Sequence, residues 1–115
     1  MNILIADDEP LARERLKRLI DESDNYSVVG EAGDGKEVLV LCGKLTPDIV
    51  LMDIRMPDMD GLEAAYHLSH LENPPAIIFT TAFSEHALAA FNTNAVDYLL
   101  KPIRRDRLDE ALKKA

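Results

Sequence analysis

Disulfides, membrane spans and a basic surface are all missing from this sequence. A single cysteine, Cys42, stands in 115 residues, so no intramolecular disulfide can form and a disulfide-stapled secreted scaffold is excluded. No apolar run approaches the ~18 residues that a membrane span needs. Met1-Asn2-Ile3 leads straight into a strand-like run, without the basic leader and apolar core of a secretory signal. The cytoplasm is the expected compartment, and no membrane partner is expected. Basic side chains are outnumbered: 13 Lys and Arg face 21 Asp and Glu, leaving a net charge of −8. Such an acidic surface repels a phosphate backbone, so this segment is not expected to grip nucleic acid itself. Low-complexity tracts and internal linkers are absent as well.

What is present is an ordinary globular composition. Hydrophobic residues make up 47% and charged residues 30%, which excludes intrinsic disorder. A chain of this length suits one domain, residues 1–115, and buries roughly two thirds of the surface its unfolded form exposes. Short branched-rich runs at Ile3-Leu4-Ile5, Val28-Val29, Ile49-Val50-Leu51-Met52, Ile77-Ile78-Phe79 and Val96-Asp97-Tyr98-Leu99-Leu100 read as buried strands. Helical spacing lies between them. Ala12, Leu16, Leu19 and Ile20 form one stripe, with Pro10 suited to its first turn. Val38, Leu41, Cys42 and Leu45 form a second, stopped by Pro47, and Leu62, Ala65 and Tyr66 begin a third, capped by Asp60. Ala87, Leu88 and Phe91 mark a fourth helix; Leu108, Ala111, Leu112 and Ala115 mark a fifth. Five β-α units in strict alternation predict an α/β fold, a doubly wound parallel sheet with helices on both faces, and the flavodoxin-like order 2-1-3-4-5 is the natural choice for five strands.

On that frame the polar residues gather at one end. Asp7, Asp8 and Glu9 follow the first strand, Asp53 ends the third, Thr80 and Thr81 end the fourth, and Lys101 ends the fifth. Doubly wound sheets bind ligands at the carboxyl ends of their strands. The first and third strands are neighbours in the expected order, so Asp7, Asp8 and Asp53 should converge. Carboxylates brought together repel unless a cation intervenes or one takes a proton. A hard cation such as Mg²⁺ answers the need, because one or two carboxylates, waters and a phosphate complete its octahedron. Lys101 offers a point charge to a phosphoryl oxygen and Thr81 a hydroxyl donor. An aspartate can act as a nucleophile and form an aspartyl-phosphate, and Asp53, central in the crevice, is the best placed of the three.

The motifs Asp7-Asp8-Glu9, Asp53-Ile54-Arg55-Met56-Pro57-Asp58-Met59-Asp60-Gly61, Thr81-Ala82, and Tyr98 with Lys101-Pro102 occur in this order, each at a strand end. In this the sequence resembles bacterial two-component response-regulator receiver domains along essentially its whole length. Asp7-Asp8-Glu9-Pro10-Leu11-Ala12-Arg13 and Ala95-Val96-Asp97-Tyr98-Leu99-Leu100-Lys101-Pro102 resemble receivers of the LytTR type. The resemblance implies that Asp53 is the phosphoacceptor. It implies that Asp8, Asp53 and the backbone carbonyl of Arg55 bind Mg²⁺ (or Mn²⁺) directly, with Asp7 acting through water. Thr81 and Lys101 would bind the phosphoryl group, Thr81 and Tyr98 would form the switch, and the Lys101–Pro102 peptide would be cis. Arg55 and Phe83 would tune the lifetime of the phosphoryl group. A sensor histidine kinase is the implied donor, and a DNA-binding output domain is expected after residue 115, the only route to DNA. The domain is then a phosphoacceptor rather than a stand-alone enzyme. Its output surface is expected on the fourth helix, fifth strand and fifth helix. There Phe91, Asp97, Arg104, Arg105 and Arg107 are candidates for exposure, and their opposite charges suit an isologous homodimer formed on phosphorylation.

Plainer readings stand beside these. Asp8 and Glu9 taken alone suit a helix start, and Tyr98 taken alone suits a packed strand aromatic. A haloacid-dehalogenase-like phosphohydrolase wants its nucleophile on the first strand with a second aspartate two residues on. Arg55 holds that second position after Asp53, and no cap domain fits in this length. A pseudo-receiver that never takes phosphate is disfavoured by the complete set of Asp7, Asp8, Asp53, Thr81 and Lys101. His67 and His70, three apart on the third helix, lack a third metal ligand, and His86 reads as a surface residue. Cys42, on an apolar stripe, reads as buried and inert. Glu31, Asp34 and Glu37 read as solubilising charge.

Overall fold

A computed structural model describes residues 1–82 and 95–115. Its elements are β1 (Asn2–Ala6), α1 (Pro10–Asp21), β2 (Ser27–Ala32), α2 (Gly35–Leu45), β3 (Ile49–Asp53), α3 (Gly61–Leu68), β4 (Ala76–Thr81), β5 (Asp97–Leu100) and α4 (Arg105–Lys114). The expected fourth helix, with Ala87, Leu88 and Phe91, lies outside the described residues, as do Phe83 and His86. The fifth helix of the sequence reading is therefore α4. The sheet is parallel throughout, in the order β2-β1-β3-β4-β5. That is the flavodoxin-like order expected for five strands.

Strand periodicity divides the core in two. Leu4, Ala6, Val50, Met52, Ile77 and Phe79 face α2 and α3, where they meet Val38, Cys42, Ala64, Ala65 and Leu68. Ile3, Ile5, Ile49, Leu51, Ile78 and Leu99 face α1 and α4, where they meet Leu16, Ile20, Leu108, Ala111 and Leu112. Successive strand residues point to opposite faces, so each run must be apolar on both. This is why the sequence shows continuous apolar runs rather than alternation. The third helix departs from its expected stripe. Gly61, Ala64, Ala65 and Leu68 are its buried residues, whereas Tyr66 is 61% exposed and lies edge-on to the rings of His67 and His70. Small residues let α3 sit close to the sheet, and the larger ring turns outward.

Capping explains several acids assigned above to solubility alone. Asp34 accepts a hydrogen bond from Glu37 N at 2.8 Å, and Glu37 accepts from Gly33 N at 2.8 Å. The pair closes both ends of a capping turn and satisfies donors that the first turn of α2 leaves open. Glu31 meets Arg13 at 3.1 Å and Lys17 at 3.8 Å. Asp60 caps α3 as expected, accepting from Glu63 N at 2.8 Å. Glu9 occupies the N-cap of α1 but makes no side-chain cap bond, and Pro10 opens that helix. Cys42 is buried, and its burial pushes the thiol up to about 11, consistent with an inert sulfur.

Two glycines differ sharply in what surrounds them. A Cβ on Gly61 would stand 2.2 Å from the carbonyl oxygen of Asp53, whereas one on Gly43 would meet nothing within 4 Å. Gly61→Ala is therefore expected to cost about 1–3 kcal/mol through overpacking against backbone. Gly43→Ala, within α2, should gain about 0.5–1 kcal/mol. Urea denaturation of both variants checks the pair; a gain at Gly61 would contradict the close packing of α3 on β3.

Candidate functional site

The site follows from the same two-residue period. Asp7 continues the row Ile3–Ile5, Asp53 ends the row Ile49–Leu51, and Lys101 follows Leu99, all on the face toward α1 and α4. Beyond the strand ends those rows meet solvent, so charged residues replace apolar ones where the core stops. Lys101 Nζ donates to Asp7 Oδ2 at 2.7 Å and to Asp53 Oδ2 at 3.2 Å. Asp8 joins them: one carboxylate oxygen from each of Asp7, Asp8 and Asp53 lies within 4.8 Å of the others. Asp7 and Asp53 are buried and Asp8 is exposed. The expected convergence is observed. Among the described residues this is the one group of three with metal-ligating chemistry, and neither His67 nor His70 belongs to it.

Buried Asp7 is held through its amide, its carbonyl and both carboxylate oxygens. Its amide donates to Ala32 O at 3.0 Å, its carbonyl accepts from Arg13 Nη1 at 2.7 Å, and Oδ1 accepts from Glu9 N at 2.9 Å. The acidic turn is thus tied to β2, to α1 and to Lys101. Burial pushes the Asp53 carboxyl up; Lys101 pulls it back, the Asp7 charge pushes it up again, and the net is above the ordinary aspartate value. For Lys101 burial acts downward, but the hydrogen bond to Asp7 and the two carboxylate charges outweigh it, so the ammonium is held above its usual range.

The loop after Asp53 is held at several points. Ile54 N donates to Thr80 O at 3.2 Å, Gly61 N to Ile54 O at 2.7 Å, and Gly35 N to Met59 O at 2.9 Å. Asp58 sits at φ 64, a left-handed conformation that aspartate tolerates better than most residues. Arg55 is exposed, and its amide hydrogen-bonds the Asp53 carboxylate. Thr81 is buried on the opposite row, after Ile77 and Phe79, and its carbonyl accepts from Lys101 N at 2.7 Å. The Lys101–Pro102 peptide is cis, as the resemblance implied. Thr80 ends the other row of β4, and its hydroxyl is buried without a hydrogen-bond partner among the described residues.

A sequence pattern for the response regulator receiver domain matches residues 3–113. The chain belongs to the response-regulator receiver family. This receiver is 58% identical to the positive alginate biosynthesis regulatory protein of Pseudomonas aeruginosa, across 100% of the receiver and 47% of that relative. It is 42% identical to the sensory transduction protein LytT of Bacillus anthracis, over 99% of the receiver and 46% of LytT. The transcriptional regulatory protein BtsR of Salmonella typhi is 46% identical over 97% of the receiver and 46% of its own length. The receiver spans about half the length of these curated relatives. Among solved structures, the response regulatory domain of mrkE from Klebsiella pneumoniae superposes with a TM-score of 0.91 at 37% identity, covering 99% of the receiver and 93% of that domain. The LytTR-type resemblance is thus supported by relatives of that kind, and so is the fold. No helix among the described residues is long and apolar enough to cross a membrane.

The receiver's expected output face departs from the sequence reading in one respect. Asp97 is not an exposed charge: its side chain is 12% exposed and bonded within the chain. It accepts from Tyr98 N at 2.8 Å, Lys114 Nζ at 3.1 Å and Arg107 Nη2 at 3.3 Å. Arg105 pairs with Glu22 and Arg104 with Asp106, so these arginines also have partners inside the chain. The reason is local: α4 returns along β5, and its Arg107 and Lys114 reach the carboxylate at the start of that strand. Tyr98 is half-buried against the core shared with α2 and α3.

Asp53 and Asp97 should shape acid stability in opposite senses. Asp53 lies above its ordinary value when folded, so its contribution is present at low pH and lost as pH rises through the folded value. Burial pushes Asp97 up, but its hydrogen bonds outweigh this and hold it low. Its contribution is therefore present above the ordinary value and lost as pH falls through the folded one. Without divalent ions, Asp53→Asn should raise the melting temperature at pH 7, with the gain vanishing on acidification. Asp97→Asn should cost about 1 kcal/mol at pH 7, fading in acid. Thermal melts from pH 3 to 7 check both, and parallel pH profiles for the two variants would contradict the assignment.

Proposed function

We propose that this receiver takes a phosphoryl group onto Asp53 from a phosphohistidine of a sensor kinase and thereby switches the output of a longer regulator. The observation that carries the reading is Lys101 Nζ spanning Asp7 and Asp53, with Asp8 beside them, at the carboxyl ends of β1, β3 and β5. A carboxylate oxygen of Asp53 attacks phosphorus as the histidine N–P bond breaks, and the departing imidazole takes up a proton. Lys101 faces the position where phosphoryl oxygens would sit and offsets their charge. The Thr81 hydroxyl, at the end of the neighbouring strand, would donate to another of those oxygens by turning toward the crevice from the opposite row. Return to the resting state is hydrolysis, with water attacking phosphorus and the Asp53 carboxylate leaving.

The donor set fits a hard divalent cation. Three carboxylates lie close together, and the loop carbonyl of Arg55 follows two residues after Asp53. Asp7, Asp8, Asp53 and that carbonyl would hold Mg²⁺ or Mn²⁺, with Asp7 acting through water. When bound, such an ion supplies charge neutralisation to the transferring phosphoryl group. Thr81 and Tyr98 would carry the change outward from β4 to β5. With Asp97 satisfied inside the chain, a phosphorylation-dependent homodimer would rest on the exposed parts of Arg104, Arg105 and Leu100 rather than on Asp97. DNA would be reached only through an output domain following residue 115, as suits an acidic receiver spanning about half of its curated relatives.

Incubation with a small acyl phosphate and Mg²⁺, followed by intact mass, tests the chemistry. One base-labile phosphoryl group should appear on the parent and none on Asp53→Asn; equal labelling of the two would remove Asp53 from the role. Millimolar Mg²⁺ should raise the melting temperature of the parent, because an ion that binds only the folded chain stabilises it by mass action. Asp8→Ala should abolish most of that rise and Glu9→Ala little of it. Equal losses in the two variants would count against the ordered ligand set.

A further inference from the structure

Arg13 reaches the acidic turn through its backbone. It lies in the first turns of α1 with a side chain only 20% exposed. Its Nη1 donates to the backbone carbonyl of Asp7 at 2.7 Å, and its Nε donates to Glu31 Oε1 at 3.1 Å. Glu31, on β2, is also approached by Lys17 Nζ at 3.8 Å. The guanidinium therefore spans the ends of β1 and β2, in ordinary contact with the position a Cβ would take on Gly33, 3.9 Å away.

The carbonyl that Arg13 holds belongs to the peptide joining Asp7 to Asp8. A peptide unit is planar, so fixing its oxygen fixes the direction in which the chain enters Asp8. Asp8 needs such a constraint more than its neighbours do. Asp7 is buried and bonded to Lys101, and Asp53 ends a central strand, but Asp8 is exposed at the start of a turn. Repulsion from the other two carboxylates favours rotation of that peptide, which would carry Asp8 away from the site. The clamp on the Asp7 carbonyl opposes that rotation. Glu31 in turn aims the guanidinium, since the planar fork of arginine presents Nε and Nη1 in a fixed relation.

We infer that Arg13 is a positioning residue for divalent-ion binding, acting through the Asp7–Asp8 peptide and oriented by Glu31. The inference rests on the metal-assisted phosphoacceptor reading above and assigns a determinant that touches neither ion nor phosphate. Lysine keeps the charge at this position but cannot offer two donors in a fixed fork. Arg13→Lys and Arg13→Gln should therefore both weaken Mg²⁺ binding, on the order of 10-fold, as supporting contacts around metal ligands commonly do. Glu31→Gln keeps an acceptor for Nε and should bind close to the parent, whereas Glu31→Ala should lose part of the affinity.

The test is a Mg²⁺ titration of the parent and these variants, read by the change in melting temperature. It is paired with the rate of labelling by an acyl phosphate across Mg²⁺ concentrations. A positioning role predicts that Arg13→Lys needs more Mg²⁺ for half-maximal labelling yet reaches the parent's maximal rate when saturated. A role confined to stability would lower the melting temperature without moving the half-maximal concentration, and that result overturns the inference. Should both Arg13 variants fail to fold, Glu31→Ala decides by the same titration, with loss of affinity in support and parent affinity against. A parent that is indifferent to Mg²⁺ overturns the underlying reading as well, which separates that failure from a failure of Arg13 alone.

Discussion

Three carboxylates held beside one ammonium set the terms for the rest of this domain. Two unit charges no more than 4.8 Å apart repel by roughly 3 kcal/mol or more at an effective dielectric near 20. That cost is met by Lys101, whose Nζ lies 2.7 Å from Asp7 and 3.2 Å from Asp53. Neither partner keeps its ordinary proton affinity: both Asp53 and Lys101 are shifted upward. Such a cluster persists only where the surrounding backbone over-determines it. Asp7 is fixed through Ala32, Arg13, Glu9 and Lys101, and Gly61 leaves no room beside the Asp53 carbonyl.

The core and the site are therefore one construction. Rows of apolar side chains on β1, β3 and β5 pack against α1 and α4, and the next residues along those rows are Asp7, Asp53 and Lys101. Shifting any strand by one residue would turn its charged terminus to the other face. Register, fixed by burial on both sheet faces, thus fixes the chemistry at the end of the sheet. Thr81 belongs to the other row, beside the half-buried Tyr98.

The stability of this arrangement is uneven in origin. Gly61 and Gly35 abut backbone carbonyls, whereas Gly43 stands in open space. Asp97 draws α4 onto β5 through Arg107 and Lys114, holding together the segment that follows Lys101. Charges that look like surface decoration in a linear sequence, such as Asp34, Glu37 and Asp97, close turns or join elements.

Much of this was written in the sequence. Apolar runs separated by helical stripes gave the alternation, and the alternation pointed to a doubly wound parallel sheet, for which the flavodoxin-like order is the natural five-strand choice. Asp7, Asp8, Asp53 and Lys101 could be gathered in advance because strand ends are legible from where apolar runs stop. Partners of long side chains could not be gathered in this way. Arg13 on α1 reaches Glu31 on β2, and Arg105 on α4 reaches Glu22 at the end of α1, contacts set by packing distance rather than by spacing along the chain. The capping turn at Asp34 and Glu37 had a local signal, an acid followed three residues later by glutamate. The outward turn of Tyr66 had none, since a helical stripe does not say how closely its helix approaches the sheet. Local periodicity determined which residues could meet, and only the packed tertiary structure decided which charges found partners, because reach and burial depend on elements far apart in the chain.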